Sequence, residues 1–215
     1  MLQLSALISE VLPIIFYLIF LKRNRGEGLW VIFLYCVLSL LTEPFYHMVK
    51  ANIPQYFVYS SFTILEFTLF SFFFYSSLTE RRFKYIPVIG AVLFYVVAIS
   101  NFTKKSENPF DSLPASVEAI LVISYCILLL YEQIRDPAIG LVYNNKKFWV
   151  IIAFFLYFSA TLFLFIYTGA LSEEQRSSYW PINNFFEMLK NILFCISFIM
   201  KKHYKNPYAV DSLES

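Results

Sequence analysis

The sequence predicts an all-α membrane protein: a polytopic bundle of seven transmembrane helices, with the N-terminus outside and the C-terminus inside. Two observations lead to this fold class. Of the 215 residues, 59% are hydrophobic and only 15% are charged, whereas an average soluble domain has about 45–50% and about 25%. A soluble fold of this length could not cover so much apolar surface with a polar shell. The second observation is a series of seven stretches that come close to the length of a membrane span, about 20 mostly apolar residues.

These seven stretches are joined by short polar connectors such as KRNRGEG and SEEQRSSYW. Their apolar residues run continuously and do not alternate with polar ones, which favours helices over a barrel. The spans are predicted at about 3–21, 29–47, 56–78, 85–101, 115–134, 148–171 and 179–200. Residues 1–200 are therefore predicted to form one transmembrane domain, and residues 201–215 a short cytoplasmic polar tail.

Each span has its own local signal. The first is too long, and lacks the basic start and the cleavage site, for a signal peptide. The second, sixth and seventh begin near Trp30, Trp149 and Trp180, as expected for aromatic belts at the membrane surface. The third contains the run FTLFSFFFY, which we interpret as lipid-facing or core-packing residues rather than as a ligand-stacking site. The fourth, YIPVIGAVLFYVVAISN, is the shortest, and the fifth is bounded by the polar segments TKKSENPFDSLP and EQIRD.

Orientation follows from the lysines and arginines, which accumulate in cytoplasmic loops. Four of the 17 lie on the predicted outer side, and Lys190 lies inside the last span. The remaining twelve follow the first, third and fifth spans or the last one: Lys22, Arg23, Arg25, Arg81, Arg82, Lys84, Arg135, Lys146, Lys147, Lys201, Lys202 and Lys205. This excess of positive charge favours contact with anionic lipid headgroups in a cell membrane. We predict no direct binding of nucleic acid.

The cysteines predict neither a metal site nor a disulfide framework. Cys36, Cys126 and Cys195 each lie inside an apolar run, where cysteine behaves as a small hydrophobic residue. Their spacing does not match that of zinc ligands. We therefore expect no metal and no cofactor.

Charged residues inside a membrane span are costly and are functional candidates by default. Six fall within the predicted spans, and all of the acids lie in the outer half or near the midplane. In the seventh span Asn184, Glu187 and Asn191 share one helical face, and Glu187 is spaced to pair with Lys190. Interfacial or packing roles are the alternative interpretation. The predicted ligand-binding residues are Glu66, Glu187, Lys190, Asn191, Asn184, Glu43, His47 and Glu118.

These residues predict an outward-facing acidic cavity that would favour a cation or an amine. A non-enzymatic sensor or accessory protein that signals through a protein partner fits best. A small cation or amine transporter or channel is the second class, although scarce glycine and an apolar inner half argue against it. We expect no enzymatic activity, since the sequence has no nucleophile elbow and no HExxH motif. A carboxylate-only intramembrane lipid hydrolase stays open, as does self-association through Phe-rich faces.

Three segments carry a resemblance: FTILEFTLFSFFFY, FWVIIAFFLYFSATLFLFIY and INNFFEMLKNILFCISFIMKK. In composition they resemble small standalone bacterial seven-helix proteins that are similar to the membrane sensor regions of histidine kinases. Size and residue bias are also similar to those of the membrane accessory protein found beside the RNA-guided RNA nuclease of type VI-B CRISPR systems, which would imply antiviral modulation. The layout resembles that of rhodopsins, with Lys190 in the seventh span. The surrounding residues NNFFEML and TILEFTLF depart from that family, so retinal is not expected.

Overall fold

The computed structural model describes residues 2–102, 112–135, 141–168 and 171–201. All of the long elements in these ranges are helices. They are α1 (Leu2–Ile19), the short α2 (Leu21–Asn24), α3 (Trp30–Val49), α4 (Gln55–Ser77), α5 (Arg81–Phe102), α6 (Ser112–Arg135), α7 (Lys146–Thr168) and α8 (Glu173–Ile199), with a 3-10 turn at Val142–Asn144. Six of them, α3 to α8, are long and apolar enough to cross a membrane, and α1 is a shorter apolar helix. The all-helical, multi-pass prediction is therefore confirmed.

Several helices begin before the predicted spans do. The prediction placed the last span at 179, but α8 begins at Glu173. Ser172 and Gln175 form a capping box, in which each side chain accepts a hydrogen bond from the other's backbone N–H. This arrangement satisfies backbone donors that a helix start leaves free. Likewise, α5 begins at Arg81 rather than 85, with basic residues in its first turn. The apolar length of a span thus underestimates the length of the helix, because polar end turns add nothing to hydropathy.

Of the predicted tail 201–215, residues 202–215 lie outside the described residues.

The seven long helices form a closed ring in chain order. Each of α3 to α8 packs against its neighbours along the chain, and α1 packs against both α3 and α8 and so closes the ring. The helix α4 also contacts α6. We call the end of the bundle at which α1, α4, α6 and α8 end the basic end, because most of the lysines and arginines lie there.

Aromatic side chains fill the interior, and the FTLFSFFFY run supplies both buried and outward-facing rings. Phe70, Phe73 and Phe74 of α4 are fully buried, whereas Phe72 between them is 46% exposed and faces outward. The ring of Phe70 lies 4.5 Å from that of Phe154 on α7, centroid to centroid. Aromatic pairs at such distances contribute beyond their buried area, by about 0.5–1.5 kcal/mol each. This core joins α4 to α7 across the ring.

At one point α5 and α6 approach too closely for any side chain on α5. A Cβ atom built on Gly90 would lie 1.9 Å from the hydroxyl oxygen of Tyr125 and 3.0 Å from its Cζ. Tyr125 is itself buried, and its hydroxyl is directed to the carbonyl of Pro87 at 3.5 Å. Glycine at position 90 thus leaves the space that the buried Tyr125 side chain occupies.

Buried polar contacts hold the basic end together. Lys146 is 3% exposed, and its ammonium donates to the carbonyl of Arg23 and to Oδ1 of Asn24, both at 2.9 Å. The Asn24 amide donates to the carbonyl of Phe198 at 3.2 Å, and the Arg23 guanidinium donates to the carbonyl of Ile199. The Asn24 and Arg23 donors satisfy carbonyls that the end of α8 would otherwise leave free. The sequence groups Lys146 with the basic residues that follow the fifth span, and the structure buries it at the start of α7 against Arg23 and Asn24 of α2.

Candidate functional site

The most polar part of the interior lies about midway along the helices, where six side chains meet. Glu66 lies near the middle of α4, Tyr157 near the middle of α7, and Glu187 near the middle of α8. We call the following group the charged centre: Glu10 of α1, Tyr35 of α3, Glu66 of α4, Tyr157 of α7, and Glu187 and Lys190 of α8. Five of the seven long helices contribute to it.

Lys190 is the most buried member of this group, with 2% of its side chain exposed. Its ammonium nitrogen lies 3.7 Å from Oε1 of Glu187, one helical turn away. It also donates to the Tyr35 hydroxyl at 2.5 Å. The same nitrogen lies over the ring of Tyr157, 4.3 Å from its centroid. One carboxylate, one hydroxyl and one ring face therefore share a single buried positive charge.

The carboxylates outnumber this ammonium. The Glu10 side chain interacts with those of Glu187 and Ser39, and it is also within electrostatic range of Lys190. The Glu66 carboxylate interacts with the Tyr35 hydroxyl and with the charges of Lys190 and Glu187. Three acids thus surround one lysine in an apolar bundle. Full ionisation would leave an excess of negative charge, which is expensive in a low-dielectric interior.

Polar side chains at helical spacing on α8 position the charged centre. Asn183 is buried and accepts a hydrogen bond from the Tyr157 hydroxyl at 3.1 Å. Asn191 is also buried and donates to the Ser9 hydroxyl of α1 at 3.0 Å. Asn184, one turn before Glu187, is buried as well. The polar face predicted for the last span is therefore real, and it points into the ring toward α1 and α7.

Three of the eight predicted ligand-binding residues, Glu43, His47 and Glu118, need a separate account. The structure brings Glu66, Glu187 and Lys190 together, with Asn191 and Asn184 beside them on α8. Glu43 and His47 lie elsewhere, near the end of α3, with side chains that are 53% and 59% exposed. They pair with each other at 3.2 Å, and Glu43 accepts a hydrogen bond from the Tyr59 hydroxyl at 2.7 Å. The pair lies on the surface of α3, and the hydrogen bond from Tyr59 links it to α4. It is separate from the charged centre.

Glu118 on α6 is buried rather than interfacial, with 3% of the residue exposed. It interacts electrostatically with Glu66 and Lys190 of the charged centre. Glu118 is buried because α6 packs against three other helices, α4, α5 and α7. The sequence could not distinguish this setting from a headgroup contact, because both need a glutamate one to two turns from a helix end.

The predicted ligand-binding residues include neither Tyr35 nor Tyr157. Tyr35 and Tyr157 lie among many aromatic residues in apolar spans, so their composition gives no signal. Tyr157 precedes Thr161 and Thr168 at helical spacing, and this polar face was the only sign available. Glu10 was recognised as a charge within the first span, but its partners lie on α3 and α8, which only the folded bundle brings together.

A cavity of about 270 Å³ opens between α3 and α4. Its lining is mostly apolar and includes Leu38, Leu41, Phe57 and Phe62, with Thr42 and Ser61 as its polar residues. The carboxylates of the charged centre are not among its lining residues. Within the described ranges, the histidines, cysteines and acids do not form a group of three or more that could hold a metal ion.

No protein-family model matches the chain, and comparisons with curated proteins and with solved structures give no match either.

Proposed function

We propose that this chain is a seven-helix membrane protein that acts as a non-enzymatic sensor or regulatory component, and that the charged centre is its response element. The observation that supports this proposal is the burial of Lys190 between Glu187, Tyr35 and Tyr157, with Glu10 and Glu66 adjacent. Intramembrane ionisable residues are costly, so a group of four drawn from three helices indicates a function.

The proposal counts α1 as a seventh span. Its 18 residues correspond to about 27 Å of helix, close to the hydrocarbon thickness of about 30 Å. It also closes the ring by packing against α3 and α8. The excess of lysine and arginine at the basic end supports the proposed orientation, with the N-terminus outside and the C-terminus in the cytoplasm.

Two features favour sensing over transport. The helices α4 and α7 pass through the charged centre without interruption, whereas transporter sites are typically built on discontinuous helices. The basic end is also closed by the buried contacts of Asn24 and Lys146. We therefore propose that a cationic ligand changes the position of α8, and that the basic end passes this change to a protein partner.

The experiment reconstitutes the full chain in nanodiscs and follows the basic end by spectroscopy. The three native cysteines are buried, so spin labels can be directed to cysteines introduced at the exposed positions Arg25 and Arg82. We expect the label-to-label distance to change on addition of methylammonium, and this change to be lost in Glu66→Gln. The matched control is Glu174→Gln, at the exposed start of α8.

A parallel measurement in liposomes records the flux of protons, Na⁺ and methylammonium. Flux well above that of empty liposomes would contradict the sensor and favour a transporter. A basic end that stays unchanged with every cation tested, in a folded protein, would also contradict the proposal.

A further inference from the structure

Glu118 has a feature that sets it apart from the other buried acids. It is buried to 3% exposure, and its Oε1 atom has no hydrogen-bond partner among the described residues. Its electrostatic neighbours are Glu66, which is another acid, and Lys190. Lys190 is already in contact with Glu187 and with the Tyr35 hydroxyl. Glu118 therefore faces the charged centre with an acceptor that the protein itself leaves unused.

We propose that Glu118 and Glu66 together bind a small protonated primary amine between α4, α6 and α7. This inference rests on the proposed function, and it specifies both the ligand class and a second carboxylate for it. An ammonium group brings N–H donors for the free Oε1 of Glu118 and a positive charge to balance Glu66. Charge-assisted hydrogen bonds of this kind are about twice as strong as neutral ones.

The heights of the two acids fit a ligand that comes from the end opposite the basic end. Glu66 lies eleven residues after the start of α4, and Glu118 lies six residues after the start of α6. Both helices start at the same end of the bundle, and Glu66 lies about 7.5 Å farther from the start of its helix than Glu118 does, at a rise of about 1.5 Å per residue. An incoming amine would meet Glu118 first and Glu66 second.

The surroundings suit an ammonium better than a divalent metal ion. The ring of Tyr157 already faces the ammonium of Lys190 and the Tyr35 hydroxyl accepts a hydrogen bond from it, which shows that this region accommodates such a group. Ca²⁺ takes six to eight oxygen ligands, and Mg²⁺ demands an octahedral set. The residues that flank Glu118 inward, such as Ala119 and Val122, are apolar and buried and offer no oxygen.

The test measures binding to the full chain in nanodiscs by calorimetry and by the thermal unfolding midpoint. The probes are methylammonium and ethylammonium, with tetramethylammonium, Na⁺ and K⁺ for comparison. We expect saturable binding and a raised midpoint with the two primary amines only. Glu118→Gln should weaken this binding about tenfold or more, while Glu174→Gln should bind as the native protein does.

Three results would overturn the inference. They are equal binding by Glu118→Gln, equal binding of tetramethylammonium, which has no N–H donor, and saturable binding of Na⁺ or K⁺ in place of the amines. If Glu118→Gln does not fold, the discrimination between methylammonium and tetramethylammonium by the native chain decides. If amines bind through Glu118 but the basic end does not move, the sensor proposal is refuted and the binding-site proposal is retained. If the basic end still moves in Glu118→Gln, the binding-site proposal is refuted and the sensor proposal is retained.

Discussion

The carboxylate of Glu132 on α6 holds the backbone of Thr79 at the start of α5. It accepts hydrogen bonds from the Thr79 N–H at 2.9 and 3.1 Å and from the Glu80 N–H at 2.5 Å, and the Thr79 hydroxyl also donates to it. A helix start has free N–H groups and partial positive charge, so an anion there is stabilising. Glu132, which lies 52 positions after Glu80 in the chain, therefore supplies the cap for the start of α5.

This contact predicts that Glu132→Ala destabilises the start of α5. The backbone N–H groups of Thr79 and Glu80 would lose their shared acceptor, and loss of a helix cap costs about 0.5–2 kcal/mol. Hydrogen exchange should show faster exchange at residues 79–84, while the middle of α7 stays protected. Glu132→Gln keeps one acceptor oxygen and should show a smaller effect. Unchanged exchange at the start of α5 in Glu132→Ala would contradict this role.

Gly90→Ala should destabilise the α5–α6 contact, because the new methyl group meets Tyr125. Overpacking of this kind typically costs about 1–3 kcal/mol. Tyr125→Phe removes the hydroxyl that lies nearest to the methyl, so the double variant should regain part of the loss. Thermal unfolding of the single and double variants in one detergent measures this coupling. Additive effects would show that the two residues do not meet.

Lys190→Met should be strongly destabilising, since it leaves Glu187 and its acidic neighbours without a positive charge. Breaking a buried ion pair on one side costs about 3–5 kcal/mol. The double variant Lys190→Met with Glu187→Gln removes both charges and should be more stable than Lys190→Met alone. The free energy of unfolding from a denaturant series gives the comparison. If the double variant is no more stable than the single one, the two residues are not coupled.

The seven-span topology predicts that reporters at the two ends of the chain fall on opposite sides of the membrane. A reporter before Met1 should be outside and one after Lys201 inside. A reporter after Asn52, between α3 and α4, should be outside and serves as the internal control. Both ends on the same side would mean that α1 does not cross the membrane.

Much of the fold could be predicted from the sequence, because the hydrophobic effect acts locally on apolar runs. The all-helical, multi-pass architecture follows from the apolar runs, and the pairing of Glu187 with Lys190 follows from their spacing along one helix. Helix ends were less accurate, since the capping box at Ser172 and the cap from Glu132 depend on polar contacts that hydropathy does not register.

By itself, then, the sequence determined that the chain is a bundle of apolar helices with acids and one lysine in its interior. Only the tertiary structure decided which of these groups meet. It joined Glu10 of α1 to Glu187 of α8, separated Glu43 and His47 from the charged centre, and buried Lys146 as a structural group. The physical reason is that helical periodicity fixes the neighbours of a residue within about one turn, whereas contacts between helices depend on how the whole ring closes.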